Sequence, residues 1–361
     1  MTELVFVLGT RPEIIKLSPV IRRCQSLGID FEIIHTGQHY SENLSSVFFD
    51  QLSLPQPDYN LDIRSGTHST QTGQMMIELG ELIAEIDPQT VLVQGDTNSV
   101  LAASMTVSKM DSTLGHVEAG LRSYNRSMPE EINRVVSDHV GEYLFAPTPQ
   151  SVKYLQNEGI SDDRIYETGN TIVEATRDNS ELAESESTIL EELGLNSGEY
   201  CLLTAHRAEN VDSRSVFTSI IEGVGAFAAQ HELPVVFPAH PRTQKRIGEF
   251  DLTIPNHIAV IDSLDYLDFL TIQRNASLVF TDSGGVQEEA CILHVPCVTI
   301  RTETERPETV TVGANVVADV TADSIQSSGN DMIDVDRKWD NPFGDGHAAE
   351  RILEILSFTE S

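Results

Sequence analysis

Leu278-Val279-Phe280-Thr281-Asp282-Ser283-Gly284-Gly285-Val286-Gln287-Glu288-Glu289-Ala290-Cys291-Ile292-Leu293 is the stretch that decides the fold class. Its first four residues are a short apolar run of strand-forming types. Asp282 to Gly285 read as a sharp turn, and Val286 to Leu293 as a helix with two carboxylates in its first turns. The first N–H groups of such a helix lack internal partners, and the helix dipole adds partial positive charge there. Glycines let a bulky anion approach the main chain, so a phosphate fits this place without a lysine. Glu288 and Glu289 are then placed to accept hydrogen bonds from sugar hydroxyls. The plainer reading is a βα corner that uses glycine for geometry alone.

The same alternation extends on both sides of that stretch. Residues 3–9 read as a buried strand, and Gly9-Thr10-Arg11-Pro12-Glu13 turns into a helix whose apolar residues Ile14, Leu17, Val20 and Ile21 recur at helical spacing. Strands follow at 31–35, 90–93, 113–117 and 143–146, with helices at 68–86, from Ser99, and from Met128. A second series has strands at 200–204, 235–237, 258–261 and 298–300, a helix at 213–230, and an amphipathic tail helix at 346–356. Strand–helix alternation marks α/β doubly wound parallel sheets. Two Rossmann-like domains are expected, 1–170 and 171–345, with the helix at 346–358 packing back on the first. Residues 179–192 are rich in Ser and Glu and read as a solvated helical segment beside a linker. Ligands of such sheets bind beyond the carboxyl ends of the strands, and the active site is expected in the cleft between the two domains.

The chain has 361 residues, 40% of them hydrophobic, enough for two cores. Its apolar runs are too short to span a bilayer, and the start, MTELVFVLGTRPE, lacks the basic region of a signal peptide. Cys24, Cys201, Cys291 and Cys297 lack the spacing of a zinc site and read as reduced thiols of a cytoplasmic protein. The formal net charge of −33 argues against nucleic acid and anionic membranes as partners. Only Lys16, Lys109, Lys153, Lys245 and Lys338 are lysines. Acid excess with scarce lysine suggests an acidic, halophile-type protein whose self-repulsion is screened by salt.

Arg11 and Lys16 stand at and just inside the first helix start, a second place to hold an anion. Asp96, Glu118 and Glu130 are carboxylates near strand ends or helix starts, where acid or base work needs them. For Asp96 a helix cap is the plain alternative, and for Glu130 a helix-start charge. His206 ends a strand beside Arg207, Glu209 and Asn210. The histidines show no HxxxH or HxH spacing, so no metal is expected. No GxGxxG follows the first strand, so no dinucleotide cofactor is expected either.

Taken together, GTRPEIIKLSPVI (9–21), TGQHY (36–40), QGDTNSV (94–100), HVEAGLRS (116–123), MPEEINR (128–134), TAHRAEN (204–210), HPRT (240–243), TDSGGVQEEA (281–290) and RTETERPETV (301–310) resemble, in this order, the non-hydrolysing UDP-N-acetylglucosamine 2-epimerases. DGHAAERILEIL (345–356) resembles that family's closing helix. The resemblance implies a GT-B-type fold of two facing Rossmann-like domains. It also implies interconversion of UDP-GlcNAc and UDP-ManNAc without a cofactor, by elimination of UDP to 2-acetamidoglucal and re-addition. Residue by residue, it implies that Asp96, Glu118, Glu130 and His206 form the catalytic group. Arg11, Lys16 and Arg306 match the family's cationic residues at the diphosphate, and Ser283, Gly284 and Gly285 its main-chain phosphate cradle. Glu289 matches the ribose-binding carboxylate. Phe269, with the backbone near Leu264, matches the uracil site. In bacterial members a second UDP-GlcNAc activates through residues like Gln38, Gln71, Arg207 and His240. A homodimer that supplies ManNAc units for polysaccharide is the expected setting. The rivals are a sister epimerase of a diacetamido uronate, a GT-B glycosyltransferase and a nucleotide-sugar sensor.

Overall fold

The computed structural model describes residues 2–38, 42–63 and 66–358, with only the backbone of residues 42–46. His39 and Tyr40 of the TGQHY motif lie outside the described residues. The chain divides into two compact units, Met1–Ala175 with Phe343–Ser361, and Thr176–Pro342.

The first unit holds strands β1 (Leu4–Leu8), β2 (Phe31–His35), β3 (Tyr59–Asn60), β4 (Thr90–Gln94), β5 (Thr113–Val117), β6 (Tyr143–Ala146) and β7 (Ile165–Glu167). They form one parallel sheet in the order β3-β2-β1-β4-β5-β6-β7. The second holds β8 (Cys201–Thr204), β9 (Val235–Ala239), β10 (Ile258–Asp262), β11 (Leu278–Thr281), β12 (Cys297–Ile300) and β13 (Asn315–Ala318), parallel in the order β10-β9-β8-β11-β12-β13. Both orders reverse direction once, at β1/β4 and at β8/β11. Loops at such a switch point diverge and leave a crevice beyond the strand ends. Both sheets are doubly wound, as expected.

Central strands such as β1 and β4 are buried along their whole length, because helices cover both faces of a parallel sheet. The helix Arg11–Leu27 shows how the sequence makes this cover. It buries Ile14, Leu17, Val20, Ile21 and Cys24, and each buried aliphatic side chain contributes about 1.5–3 kcal/mol. Pro19 lies inside this helix and lacks the N–H that would bond the Ile15 carbonyl. The Ser18 hydroxyl donates to that carbonyl instead, at 2.8 Å. Gly28, at φ 70°, ends the helix in the left-handed region.

Two expectations need correction. Residues 179–192 are not one solvated segment: helix Ile172–Glu186 runs through Asn179 and buries that residue, Thr176 and Ala183, and a separate helix spans Ile189–Leu193. The boundary of the two units falls inside the first of these helices. Gly284 and Gly285 are not a turn but the first residues of helix Gly284–Ile292, and neither has a positive φ. In the first unit, helix Ala348–Ile355 donates the N–H groups of Ala348 and Ala349 to the Glu174 carboxylate, at 3.1 Å each. Among the described residues no helix is long and apolar enough to cross a membrane.

Candidate active site

In the first unit the loops after β1, β4 and β5 carry the polar residues. Glu118 directly follows β5 and takes a backbone φ of 70°. For a residue with a Cβ this costs roughly 1–2 kcal/mol, and such strain gathers at functional sites. Its carboxylate is buried. It accepts from Lys16 Nζ at 2.5 Å, from Gln94 Nε2 at 2.5 Å and from Asn170 Nδ2 at 3.3 Å. Lys16, expected at a diphosphate, is thus engaged by the carboxylate of its own unit.

Asp96 follows β4. Arg134 pairs with its carboxylate, and Asn133 Nδ2 donates to its carbonyl at 2.9 Å. Arg134 also holds Glu131 at 2.8 Å, and Glu131 accepts from the N–H groups of Ser123 and Tyr124. Burial opposes the Glu131 charge, yet these donors hold its carboxyl below the ordinary value. Glu130, its neighbour, is exposed. Asp96 and Glu130 line one cavity of about 440 Å³ with Thr10, Gln38, Gln71 and Asn133. Gln38 and Gln71, expected at an activator site, therefore share a cavity with two of the expected catalytic carboxylates. Both amides already tie other segments to the start of helix Asn98–Val107: Gln38 Oε1 accepts from Ser99 N–H at 2.9 Å, and Gln71 Oε1 from Asn98 Nδ2 at 2.8 Å. Arg11 is exposed, with its guanidinium 5.4 Å from the Phe48 ring centroid.

Glu13, in the first turn of helix Arg11–Leu27, is a residue that the sequence alone does not single out. It is buried and accepts from Gly9 N–H at 2.9 Å and Thr97 Oγ at 2.7 Å, so it ties the loop after β1 to the one after β4. Burial outweighs these donors and raises its carboxyl to about 7. With the ordinary value at 4.5, the folded state keeps a proton that the unfolded chain has lost. This contribution to stability is complete below the ordinary value and is lost as pH rises through about 7. The stability of wild type relative to Glu13→Gln is expected to fall by about 2–3 kcal/mol between about pH 5 and 8. Urea unfolding of both proteins at the two pH values measures it, and a constant difference refutes it.

In the second unit Thr204 pairs with Thr281 in the register of β8 and β11, and their hydroxyls lie 2.6 Å apart. That register sets the next residues of both strands side by side. His206 Nδ1 lies 2.9 Å from Asp282 Oδ1. Asp282 is buried and also accepts from the N–H groups of His206 and Arg207 and from Asn210 Nδ2, each at 3.0 Å. Burial works against its charge, but His206 and these donors outweigh it and hold the carboxyl below the ordinary value. The His206 side chain is 55% exposed, so with Nδ1 held by Asp282 it can present Nε2 to a reactant. Asp282 stood in the opening stretch as a turn residue only.

The Ser283 side chain makes no cap hydrogen bond to the first turn of helix Gly284–Ile292, and the space beside Gly285 is open among the described residues. Glu289 is buried and accepts from the Tyr266 hydroxyl at 3.1 Å. Glu288 departs from expectation: it is buried against Arg306 Nε at 2.5 Å and is an internal partner rather than a free acceptor for a sugar. Arg306 is correspondingly anchored to that helix. Phe269 packs with Leu264 on the core around Tyr200 and Ile272. Arg207 Nε donates to the Asp282 carbonyl at 2.9 Å, and His240 Nδ1 accepts from Arg242 N–H at 3.2 Å at the start of helix Pro241–Glu249.

A family model described as UDP-N-acetylglucosamine 2-epimerase matches residues 22–357. The UDP-N-acetylglucosamine 2-epimerase of Methanocaldococcus jannaschii is 49% identical, over 99% of both chains. A crystal structure of the enzyme from that organism, in complex with UDP-GlcNAc and UDP, superposes with a TM-score of 0.88 at 48% identity, covering 99% of this chain and all of that one. The UDP-2,3-diacetamido-2,3-dideoxy-D-glucuronate 2-epimerase of Pseudomonas aeruginosa is 39% identical, over 98% of this chain and 99% of that one.

Proposed function

The chain belongs to the UDP-N-acetylglucosamine 2-epimerase family, and from that premise we propose that it interconverts UDP-N-acetylglucosamine and UDP-N-acetylmannosamine. It is an isomerase. The observation that carries this reading is the 49% identity along the whole chain, taken with the buried, strained carboxylate of Glu118 at the end of β5.

The C2 proton of a pyranose is hardly acidic, so direct abstraction is slow. Elimination avoids that step. A base takes the C2 proton, the C2–H electrons form the C1=C2 bond, and the C1–O pair leaves with UDP. Re-addition of UDP with protonation from the other face gives the epimer. Asp96, Glu118 and Glu130 are the carboxylates assigned to this proton traffic, with His206, oriented by Asp282, as a further acid or base. The N–H groups after Ser283, the open side of Gly285, and Arg11 and Arg306 are assigned to the diphosphate; a preorganised donor at developing charge is worth a few kcal/mol. Glu289 is assigned to the ribose, and Phe269 to the uracil. The 39% identity to an epimerase of a diacetamido uronate makes that sugar nucleotide the second substrate to test.

Incubation with UDP-GlcNAc in D₂O followed by NMR decides. Deuterium at C2 with a manno product supports the proposal, and turnover of the diacetamido uronate alone supports the second substrate. Sugar transfer only to an added acceptor, or binding without turnover, overturns both. We also propose that the charge of −33 adapts the protein to salt. Activity and folding are then expected to rise with ionic strength toward about 1 M, where screening is nearly complete. Equal activity and equal thermal stability without salt refute the adaptation.

A further inference from the structure

His116 lies two residues before Glu118 on β5 and is fully buried. Its Nδ1 is 2.7 Å from Asp138 Oδ1, and its Nε2 is 2.7 Å from the Gly95 carbonyl oxygen. A carbonyl and a carboxylate only accept, so both ring nitrogens must donate, and only an imidazolium has two N–H groups. Asp138 stands as a carboxylate, since Arg122 reaches its other oxygen at 2.7 Å and Gly120 N–H donates to that oxygen at 3.2 Å. Arg122 is itself held by Glu158 at 2.7 Å. Two cations and two anions thus close a neutral set, three of them buried and Glu158 partly exposed at its edge, the condition under which buried charges persist. Burial opposes charge on the ring, but the hydrogen bond and the charge of Asp138 outweigh it, and His116 is raised above the ordinary histidine value.

The placement of the partners gives this cluster a task. Gly95 has a φ of 83° and directly precedes Asp96. His116 shares β5 with the approach to Glu118. Asp138 is on helix Pro129–Val140, whose first turn carries Glu130. One ring therefore bridges the three chain segments that bear the three carboxylates. We propose that His116 is a positioning residue for the epimerisation, a buried imidazolium that fixes the Gly95 carbonyl and Asp138 and so keeps Asp96, Glu118 and Glu130 in register. It touches neither substrate nor reacting atoms. This rests on the assignment of those carboxylates to the reaction.

The charged groups facing the ring are Asp138 and Arg122, with Glu158 behind Arg122. Both ring nitrogens of wild-type His116 are expected to carry protons at neutral pH in ¹⁵N-imidazole NMR. On the alkaline side kcat is expected to fall with the same midpoint at which the ring loses a proton. His116→Gln supplies one amide donor and no charge. It is expected to lower kcat by about 10²-fold, the scale set by a displacement on the order of 1 Å, while KM and UDP affinity stay within about threefold. Asp138→Asn is expected to return the ring to a single proton and to lower kcat alike. An unprotonated ring nitrogen at neutral pH overturns the proposal. So does a folded His116→Gln with unchanged kcat. If neither variant folds, the wild-type protein decides: a kcat indifferent to the ring's titration overturns the proposal and a coincident midpoint upholds it. If Glu118→Gln is inactive while His116→Gln is not, this inference alone fails. If both are active, the assignment of the carboxylates fails first.

Discussion

Glu118→Gln is expected to bind UDP within about twofold of wild type and to turn over about 10²–10⁴-fold more slowly, the range in which loss of a general acid or base falls. The substitution keeps the side chain's length and shape, and the amide oxygen still accepts from Lys16, Gln94 or Asn170, the partners of the native carboxylate. It removes the ability to take a proton. UDP affinity is spared because most of the residues assigned to the nucleotide, among them Gly285, Glu289, Phe269 and Arg306, belong to the second unit. Calorimetric titration with UDP, together with deuterium incorporation at C2, separates the two properties. The variant also leaves Lys16 buried beside a neutral partner, which lowers stability, so the assay belongs well below its unfolding temperature. A rate near that of wild type would take Glu118 out of the catalytic group.

Asp282→Asn is expected to act on stability and rate together. The native carboxylate accepts from two backbone N–H groups, from Asn210 and from His206. An asparagine there must turn its NH₂ toward at least one of these donors and leave it unpaired in the interior. A lost hydrogen bond to a buried charged group, with desolvated donors left over, costs about 2–4 kcal/mol. The rate follows from the ring. Without the carboxylate, His206 is free to turn, and its Nδ1 proton is no longer fixed, so the tautomer that presents a basic Nε2 is no longer selected. In a histidine oriented by an aspartate, that loss reaches about 10⁴-fold in kcat. Chemical denaturation and steady-state kinetics on the same preparation measure both. Unchanged kcat with lowered stability would leave Asp282 a purely structural residue.

Central strands such as Leu4–Leu8 and Leu278–Thr281 were legible because each is a short run of apolar and β-branched residues that leads into a glycine-containing stretch, Gly9 in the first and Gly284-Gly285 in the second. β3 escaped because it has two residues, both exposed. The part of helix Ile172–Glu186 from Asn179 onward reads as solvated in the sequence because what it buries there is Asn179, Ser180 and Ala183 rather than large apolar side chains. Gly284 and Gly285 looked like a turn because glycine is common in turns; whether its φ is positive depends on the chain around it. The carboxylates of the candidate site could be named from their places at strand ends. Their partners could not. Arg134 reaches Asp96 from 38 residues away, and Asp282 lies 76 residues from His206. Sheet register, invisible to local periodicity, creates the second of these pairs. The same holds for Glu13, whose importance shows only once Thr97 is beside it.

The first unit is made of two separate lengths of chain, and this bears on the order of assembly during translation. Phe343–Ser361 emerges from the ribosome only after the whole of Thr176–Pro342. Until then Glu174 waits without the N–H groups of Ala348 and Ala349, and the flank of Arg11–Leu27 that the closing helix covers stays wet. The half begun earliest is therefore sealed last, and a stalled nascent chain would present a finished second half tethered to an unfinished first.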